Sequence, residues 1–144
     1  AAVRALEAVA ERGEARAIRE VASCITDLDA GVRRAAVEAL PRLADAGDPA
    51  ATSAAASGLR HPEAAVRRAA AEVLGELRGQ GDNAVIASMV ELLGDVDAGV
   101  RRTAVNVLGR FGRQSDALAA STLAACLRHE DPVVRQAAVE WQRI

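Results

Sequence analysis

Four arginines recur at one fixed spacing and are the first residues in this chain that could do chemistry. They follow one another every 34 residues, at Arg33, Arg67, Arg101 and Arg135. A row of guanidinium groups could contact successive phosphates, because each group keeps its positive charge and presents a fork of donors. Since the arginine recurs in every unit, we favour a structural role instead.

The overall charge argues against nucleic acid as the partner. All 18 basic residues are Arg, but 20 acidic residues are interspersed with them and the net charge is -2. A binder of polyanions normally presents a basic face. We therefore keep nucleic-acid binding through the arginine stripes only as an alternative.

The histidines and cysteines are too few and too widely spaced to predict a reactive site. His61 and His129 are two repeats apart, on the order of 20 Å if each repeat adds about 10 Å. Cys24 and Cys126 are three repeats apart, whereas a disulfide requires Cα atoms within about 7 Å. The sequence also contains no zinc-ligand spacing, nucleophile–base pair or glycine-rich phosphate loop. We expect no metal, no cofactor and no catalytic residue, and hence a protein that is not an enzyme.

The composition predicts helices that pack closely. Hydrophobic residues make up 51% of the chain, and 35 of the 144 residues are Ala, whereas there is one Phe, one Trp and no Tyr. Alanine is the strongest helix former, and strand formers other than Val are scarce. This pattern argues against an all-β fold and excludes a core built around large aromatic side chains.

An internal repeat organises the whole chain. The strings VRRAAVEAL, VRRAAAEVL, VRRTAVNVL and VRQAAVEWQ begin 34 residues apart, at Val32, Val66, Val100 and Val134. In each unit, apolar spacing predicts two helices, helix A (roughly 14–26, 48–60, 82–94 and 116–128) and helix B (roughly 30–43 in the first full unit). Such a pair cannot bury its apolar face alone and must stack on its neighbours. We predict an all-α fold, an α-solenoid of about four antiparallel helix pairs.

The repeat divides one predicted domain, 1–144, into five segments. Residues 1–12 match the helix B column and form an orphan helix B; the repeats follow at 13–46, 47–80, 81–114 and 115–144. Because the chain opens in the middle of a predicted helix and without an initiator Met, we expect it to be a fragment of a longer array or protein. The sequence has no apolar run long enough to predict a membrane span or a signal peptide, so we expect a cytoplasmic protein.

The repeated motif D-x-x-V-R-x-x-A-x-x-x-L resembles HEAT repeats, most closely the short bacterial kind named after phycobilisome lyases. The residues that carry the resemblance recur in each unit. In the first unit they are Asp29, Val32, Arg33, Ala36 and Leu40. The second unit departs from the motif with Glu63 at the cap, and the fourth diverges at Gln142.

The resemblance implies a ladder of paired acids and arginines. In HEAT repeats an acid in the turn commonly pairs with the helix B arginine, and Asp27 and Asp95 lie six residues before Arg33 and Arg101. His61 and His129 hold that column in the other two units. The expected structural ladder comprises Asp27, Arg33, Arg67, Asp95, Arg101 and Arg135.

The function we expect is a non-enzymatic protein–protein interaction scaffold that binds along helix B, which in such stacks usually lines the concave side. The exposed stripe of helix B supplies the candidate partner-binding residues. They are Arg34, Glu38, Arg42, Arg68, Glu72, Glu76, Arg102, Asn106 and Arg110. A solvated helix face explains the stripe equally well, and the Arg and Glu of each pair could neutralise each other locally. By resemblance alone, a tetrapyrrole lyase-like or chaperone-like role is a further alternative.

Two apolar residues near the end of the sequence predict self-association. Trp141 lies in the column of Ala39, Val73 and Val107, which we expect in the core, and Ile144 follows it. With no further unit to cover them, these two residues could pair with a second copy.

Overall fold

The computed structural model describes residues 15–44, 48–77, 83–113 and 116–143, and all of its regular elements in these ranges are helices. The chain divides into two compact units, Ala1–Gly79 (unit 1) and Gln80–Ile144 (unit 2). The prediction of an all-α fold of the α-solenoid class is confirmed. None of the helices in the described ranges has the length and apolarity needed to cross a membrane.

Helices of type A and type B alternate within each unit. In unit 1 they are α1 (Ala15–Ser23), α2 (Ala30–Leu43), α3 (Pro49–Gly58) and α4 (Ala64–Leu77), with a 3-10 turn at Cys24–Thr26. In unit 2 they are α5 (Asn83–Leu92), α6 (Ala98–Arg113), α7 (Ala117–Cys126) and α8 (Pro132–Gln142). Odd numbers are helices A and even numbers are helices B.

Aspartates begin the helices as the sequence predicts. The Asp29 carboxylate accepts hydrogen bonds from the backbone N–H groups of Gly31 and Val32, at 2.8 and 3.1 Å. Asp97 and Asp131 begin their helices B in the same way. Each cap satisfies donors that have no partner inside the helix, and such caps are typically worth about 1 kcal/mol.

Each helix packs on its partner within the repeat and on the helix of the same type in the next repeat of its unit. In unit 1, α1 contacts α3, and α2 contacts α4; in unit 2, α5 contacts α7, and α6 contacts α8. Small residues make these approaches close. A Cβ on Gly58 of α3, for example, would lie 2.9 Å from the Cβ of Ala70 on α4.

The core follows the repeat columns. Val66, Val100 and Val134 are fully buried, as are the alanines four residues after each of them. Burying a Val or Leu side chain stabilises a fold by about 1.5–3 kcal/mol, so each repeat contributes a modest increment to the core. The apolar turn residues Leu28 and Val96 are, in contrast, almost fully exposed.

Candidate functional site

In unit 1 the predicted binding stripe lies along an open groove between the two helices B, α2 and α4. The groove has a volume of about 510 Å³. Its lining includes the small apolar residues Ala30, Val37, Ala65 and Ala69, together with Arg33. Arg34, Glu38, Arg68 and Glu72, four of the predicted residues, line it as well, and all four are exposed. Arg42 and Glu76 are also exposed but lie outside this lining.

The charges in the groove form two rows. Arg34 and Arg68 occupy equivalent positions near the starts of α2 and α4, and Glu38 and Glu72 follow four residues later. Four residues of helix rise about 6 Å, so each glutamate lies one turn beyond the arginine of its own helix. Within the described part of the chain, none of these four side chains makes a hydrogen bond or an ion pair. The local neutralisation that the sequence suggested is therefore not formed there.

In unit 2 two of the corresponding residues make contacts between the repeats. Arg102 donates from Nη2 to Glu140 Oε2 at 2.5 Å, and Asn106 Oδ1 accepts a hydrogen bond from Trp141 Nε1 at 2.9 Å. Arg110, the third predicted residue of this face, is half-buried. The predicted stripe therefore differs between the units: its residues Arg102 and Asn106 contact side chains of α8 in unit 2, whereas Arg34, Glu38, Arg68 and Glu72 make no hydrogen bond or ion pair within the described part of unit 1.

Trp141 is held by residues that the sequence analysis did not connect to it. Its ring lies against Gly109, where an added Cβ would come under 3.0 Å from three ring atoms. The guanidinium of Arg113 lies 5.1 Å from the ring centroid, a cation–π contact. Trp141 is half-buried, whereas the other members of its column are buried. Self-association through Trp141 stays a prediction, and Ile144 lies outside the described residues.

The repeated arginines tie each helix B to the turn before it. Nη1 of Arg33 donates to the backbone carbonyl of Asp27 at 2.7 Å, and Arg101 bonds in the same way to Asp95. Arg67 and Arg135 donate to the carbonyls of His61 and His129, at 2.8 and 2.7 Å. These guanidinium groups therefore satisfy turn carbonyls, which favours a structural role over reading phosphates.

The structure differs from the expected ladder in the atoms that pair. Arg33 meets Asp27 through a backbone oxygen, while the Asp27 carboxylate accepts from the N–H of Asp29 at 2.8 Å. His61 takes the place of that carboxylate, because its Nδ1 accepts from the N–H of Glu63 at 3.1 Å. His129 does the same with Asp131, at 3.0 Å. The bond to the arginine needs only a backbone carbonyl, so a histidine in the turn leaves it intact.

Carboxylates reach the arginine column from the following repeat. Arg101 Nε forms a close ion pair with Asp131 Oδ2, and the two side chains are only 18% and 19% exposed. Arg33 Nη1 lies 3.8 Å from Glu63 Oε2, and the Glu63 side chain is 54% exposed. Both acids stand at the cap position of the next helix B rather than in the turn column that the resemblance implied.

We expect these two ion pairs to differ in strength. A double-mutant cycle of Arg101→Gln and Asp131→Asn should give a coupling energy of about 1–2 kcal/mol, because the pair is close and largely shielded from water. Asparagine keeps the cap acceptor, so the cycle isolates the charge. The matched cycle of Arg33→Gln and Glu63→Gln should give less than about 0.5 kcal/mol. Urea denaturation measures both, and equal coupling energies would contradict the geometry described here.

The two cysteines are free thiols in different environments. Cys126 is buried, and this burial raises the pKa of its thiol. Cys24 is half-buried and donates from Sγ to the Glu20 carbonyl at 3.4 Å. Within the described residues, no group of three or more His, Cys, Asp or Glu side chains is placed to hold a metal ion.

Iodoacetamide at about pH 8 should therefore modify Cys24 well before Cys126, since only the thiolate reacts and burial keeps Cys126 protonated. Peptide mass spectrometry over time measures the two rates. In denaturant the rates should converge. Equal rates in the folded protein would show that Cys126 is accessible.

Comparisons with known proteins agree with this geometry. A family model described as HEAT repeats matches residues 1–74 and 52–141. A crystal structure described as that of an engineered protein aligns with a TM-score of 0.56 and 23% sequence identity, over 99% of this chain and 72% of that one. This structural similarity supports the assignment of the fold alone. No curated protein sequence matches the chain significantly. Because the family model extends over nearly the whole chain, and because helix pairs with an arginine that binds the preceding turn recur in its structure, this chain belongs to the HEAT-repeat family.

Proposed function

We propose that this HEAT-repeat protein is a non-enzymatic scaffold that binds a segment of another protein along its helix B face. HEAT repeats generally serve as protein-interaction scaffolds. The observation that carries the proposal for this chain is the open groove between α2 and α4, in which Arg34, Glu38, Arg68 and Glu72 make no hydrogen bond or ion pair within the described part of the chain. The proposal includes a cytoplasmic location.

The groove has the features of a protein contact rather than of a catalytic pocket. The alanines and the valine that line it let a partner backbone approach closely, as at other helix contacts. Its exposed arginines and glutamates supply hydrogen-bond donors and acceptors, and their charges can discriminate between partners. Such polar groups contribute more to specificity and association rate than to affinity.

Nucleic-acid binding has less support as an alternative. The arginine column bonds to turn carbonyls, and the exposed Arg34 and Arg68 stand beside Glu38 and Glu72. Those carboxylates would repel a phosphate backbone. Tight binding of DNA or RNA at low salt, with a steep loss as salt rises, would reverse this preference. No observation favours the tetrapyrrole-related role.

A selection of random peptides on the folded protein tests the proposal. Peptides enriched on the wild type should lose at least about tenfold in affinity for Ala69→Trp, which fills the groove with an indole. The matched control is Ala56→Trp, on the exposed side of α3, and it should bind them like the wild type. The proposal fails if no peptide is enriched, or if Ala69→Trp binds the enriched peptides as well as the control does.

A further inference from the structure

We infer that the groove of unit 1 takes a helical segment of a partner protein that carries an acidic and a basic side chain one helical turn apart. This inference rests on the proposed function and specifies the chemistry of the partner. It follows from the arrangement of the four charged residues in the groove, from the small residues that line the groove and from a comparison with unit 2.

The charges define what the partner must present. Arg34 and Arg68, at equivalent positions on α2 and α4, are the positive row, and Glu38 and Glu72, each one helical turn or about 6 Å further along its own helix, are the negative row. A partner with only acidic side chains would satisfy the first row and be repelled by the second. A partner with only basic side chains would meet the reverse problem. A partner that is complementary to both rows must therefore carry an acidic and a basic side chain about one helical turn apart.

The shape of the groove favours a helix as the occupant. Residues of two successive helices B line it, and Ala30, Ala65 and Ala69 among them are small. Helices pack at interaxial distances of about 8–10 Å, depending on the side chains at the contact, so small residues let a partner helix lie closely on the groove, in contact with both α2 and α4. On a helix, residues three or four apart face the same way, which places an acid and a base at the spacing of the two rows.

Unit 2 contains an internal example of the contact. Arg102, the equivalent of Arg34 and Arg68, binds the carboxylate of Glu140 on the adjacent helix α8. The glutamate equivalent to Glu140 in unit 1 is Glu72, and it makes no such bond within the described residues. An arginine of this column thus holds a carboxylate from a neighbouring helix in unit 2, while in unit 1 the same kind of donor remains available to a partner.

The test uses three alanine-rich helical peptides of equal length and equal number of charges, each labelled with fluorescein. One alternates Glu and Lys one turn apart, one carries only Glu, and one carries only Lys. Fluorescence anisotropy at low salt should show that the wild type binds the mixed peptide at least about tenfold more tightly than either uniform peptide. A duplex DNA oligonucleotide forms a fourth arm and should bind more weakly than the mixed peptide.

Two groove variants provide matched controls, because all four residues are exposed and their replacement should leave the fold intact. Arg34→Glu with Arg68→Glu makes the groove acidic and should switch its preference to the Lys peptide. Glu38→Arg with Glu72→Arg makes it basic and should switch its preference to the Glu peptide. Circular dichroism confirms that each variant is folded.

The outcomes separate this inference from the proposed function. A wild type that prefers a uniform peptide or the oligonucleotide, or variants that do not switch preference, would overturn the inference. Selected peptides that are excluded by Ala69→Trp but lack the charge pair would overturn it as well, and would leave the proposed scaffold function standing. If the selection yields no groove-binding peptide, the proposed function fails too.

Discussion

Replacing Val100 by Asp should unfold unit 2, with a loss of several kcal/mol of unfolding free energy. Val100 is 0% exposed and lies in the first turns of α6, where the apolar face of that helix meets the core. An aspartate there must either leave a charge unpaired in an apolar environment or become protonated. Domains of this size are stable by only about 5–15 kcal/mol, so such a loss removes much of the total.

The control for this prediction lies four residues away. Val96 is 92% exposed in the turn before α6, and Val96→Asp makes the same chemical change without burying a charge. It should alter stability by no more than about 0.5 kcal/mol. Thermal unfolding followed by circular dichroism compares the two variants. A wild-type midpoint for Val100→Asp would contradict the register of α6 in the core.

Adding a single methyl group at Gly109 should expel Trp141 from its site. The new Cβ would lie under 3.0 Å from three atoms of the indole ring, a distance that no relaxed contact allows. Alanine gains about 1 kcal/mol over glycine in a helix, but overpacking of this kind costs about 1–3 kcal/mol, and displacement also breaks the bond to Asn106. We expect a net loss of stability and a red shift of tryptophan emission. Because Trp141 is the only tryptophan, fluorescence reports this site alone.

Gly112→Ala is the matched control in the same helix. A Cβ there would meet the backbone of Ala120 at 3.4 Å, which is ordinary van der Waals contact. This variant should keep the emission spectrum and gain up to about 1 kcal/mol from helix propensity. Unchanged emission in Gly109→Ala would show that Trp141 does not pack where we place it.

The helices could be predicted because their signals are local and repeated. The Asp29 cap and the apolar spacing after it predict a helix at 30–43, and α2 spans Ala30–Leu43. Helix A was expected at 48–60, and α3 is shorter, Pro49–Gly58, because its last residues form a turn that leads into the next helix. Because the same helix signals recur every 34 residues, the repeats together define helix boundaries that a single segment would leave ambiguous.

The contacts of individual side chains could not be predicted, because a column states only which residues are equivalent. Arg33 and Asp27 were expected to pair through a carboxylate, but that carboxylate bonds to a backbone N–H two residues on, and the arginine reaches the carbonyl instead. Equivalent positions also make different side-chain contacts in the two units. Glu140 and Trp141 bind residues of the helix B face of unit 2, whereas the four charged residues Arg34, Glu38, Arg68 and Glu72 in unit 1 make no such bonds within the described residues.

Site-resolved NMR of the labelled protein, titrated with a peptide from the selection, tests most directly whether helix B is the binding face. We expect chemical-shift changes in the amides of α2 and α4 that line the groove, centred on Arg34, Glu38, Arg68 and Glu72. The exposed side of α3, around Ser53 and Ala56, should stay unchanged. Changes confined to α1 and α3, with α2 and α4 unaffected, would contradict the central claim.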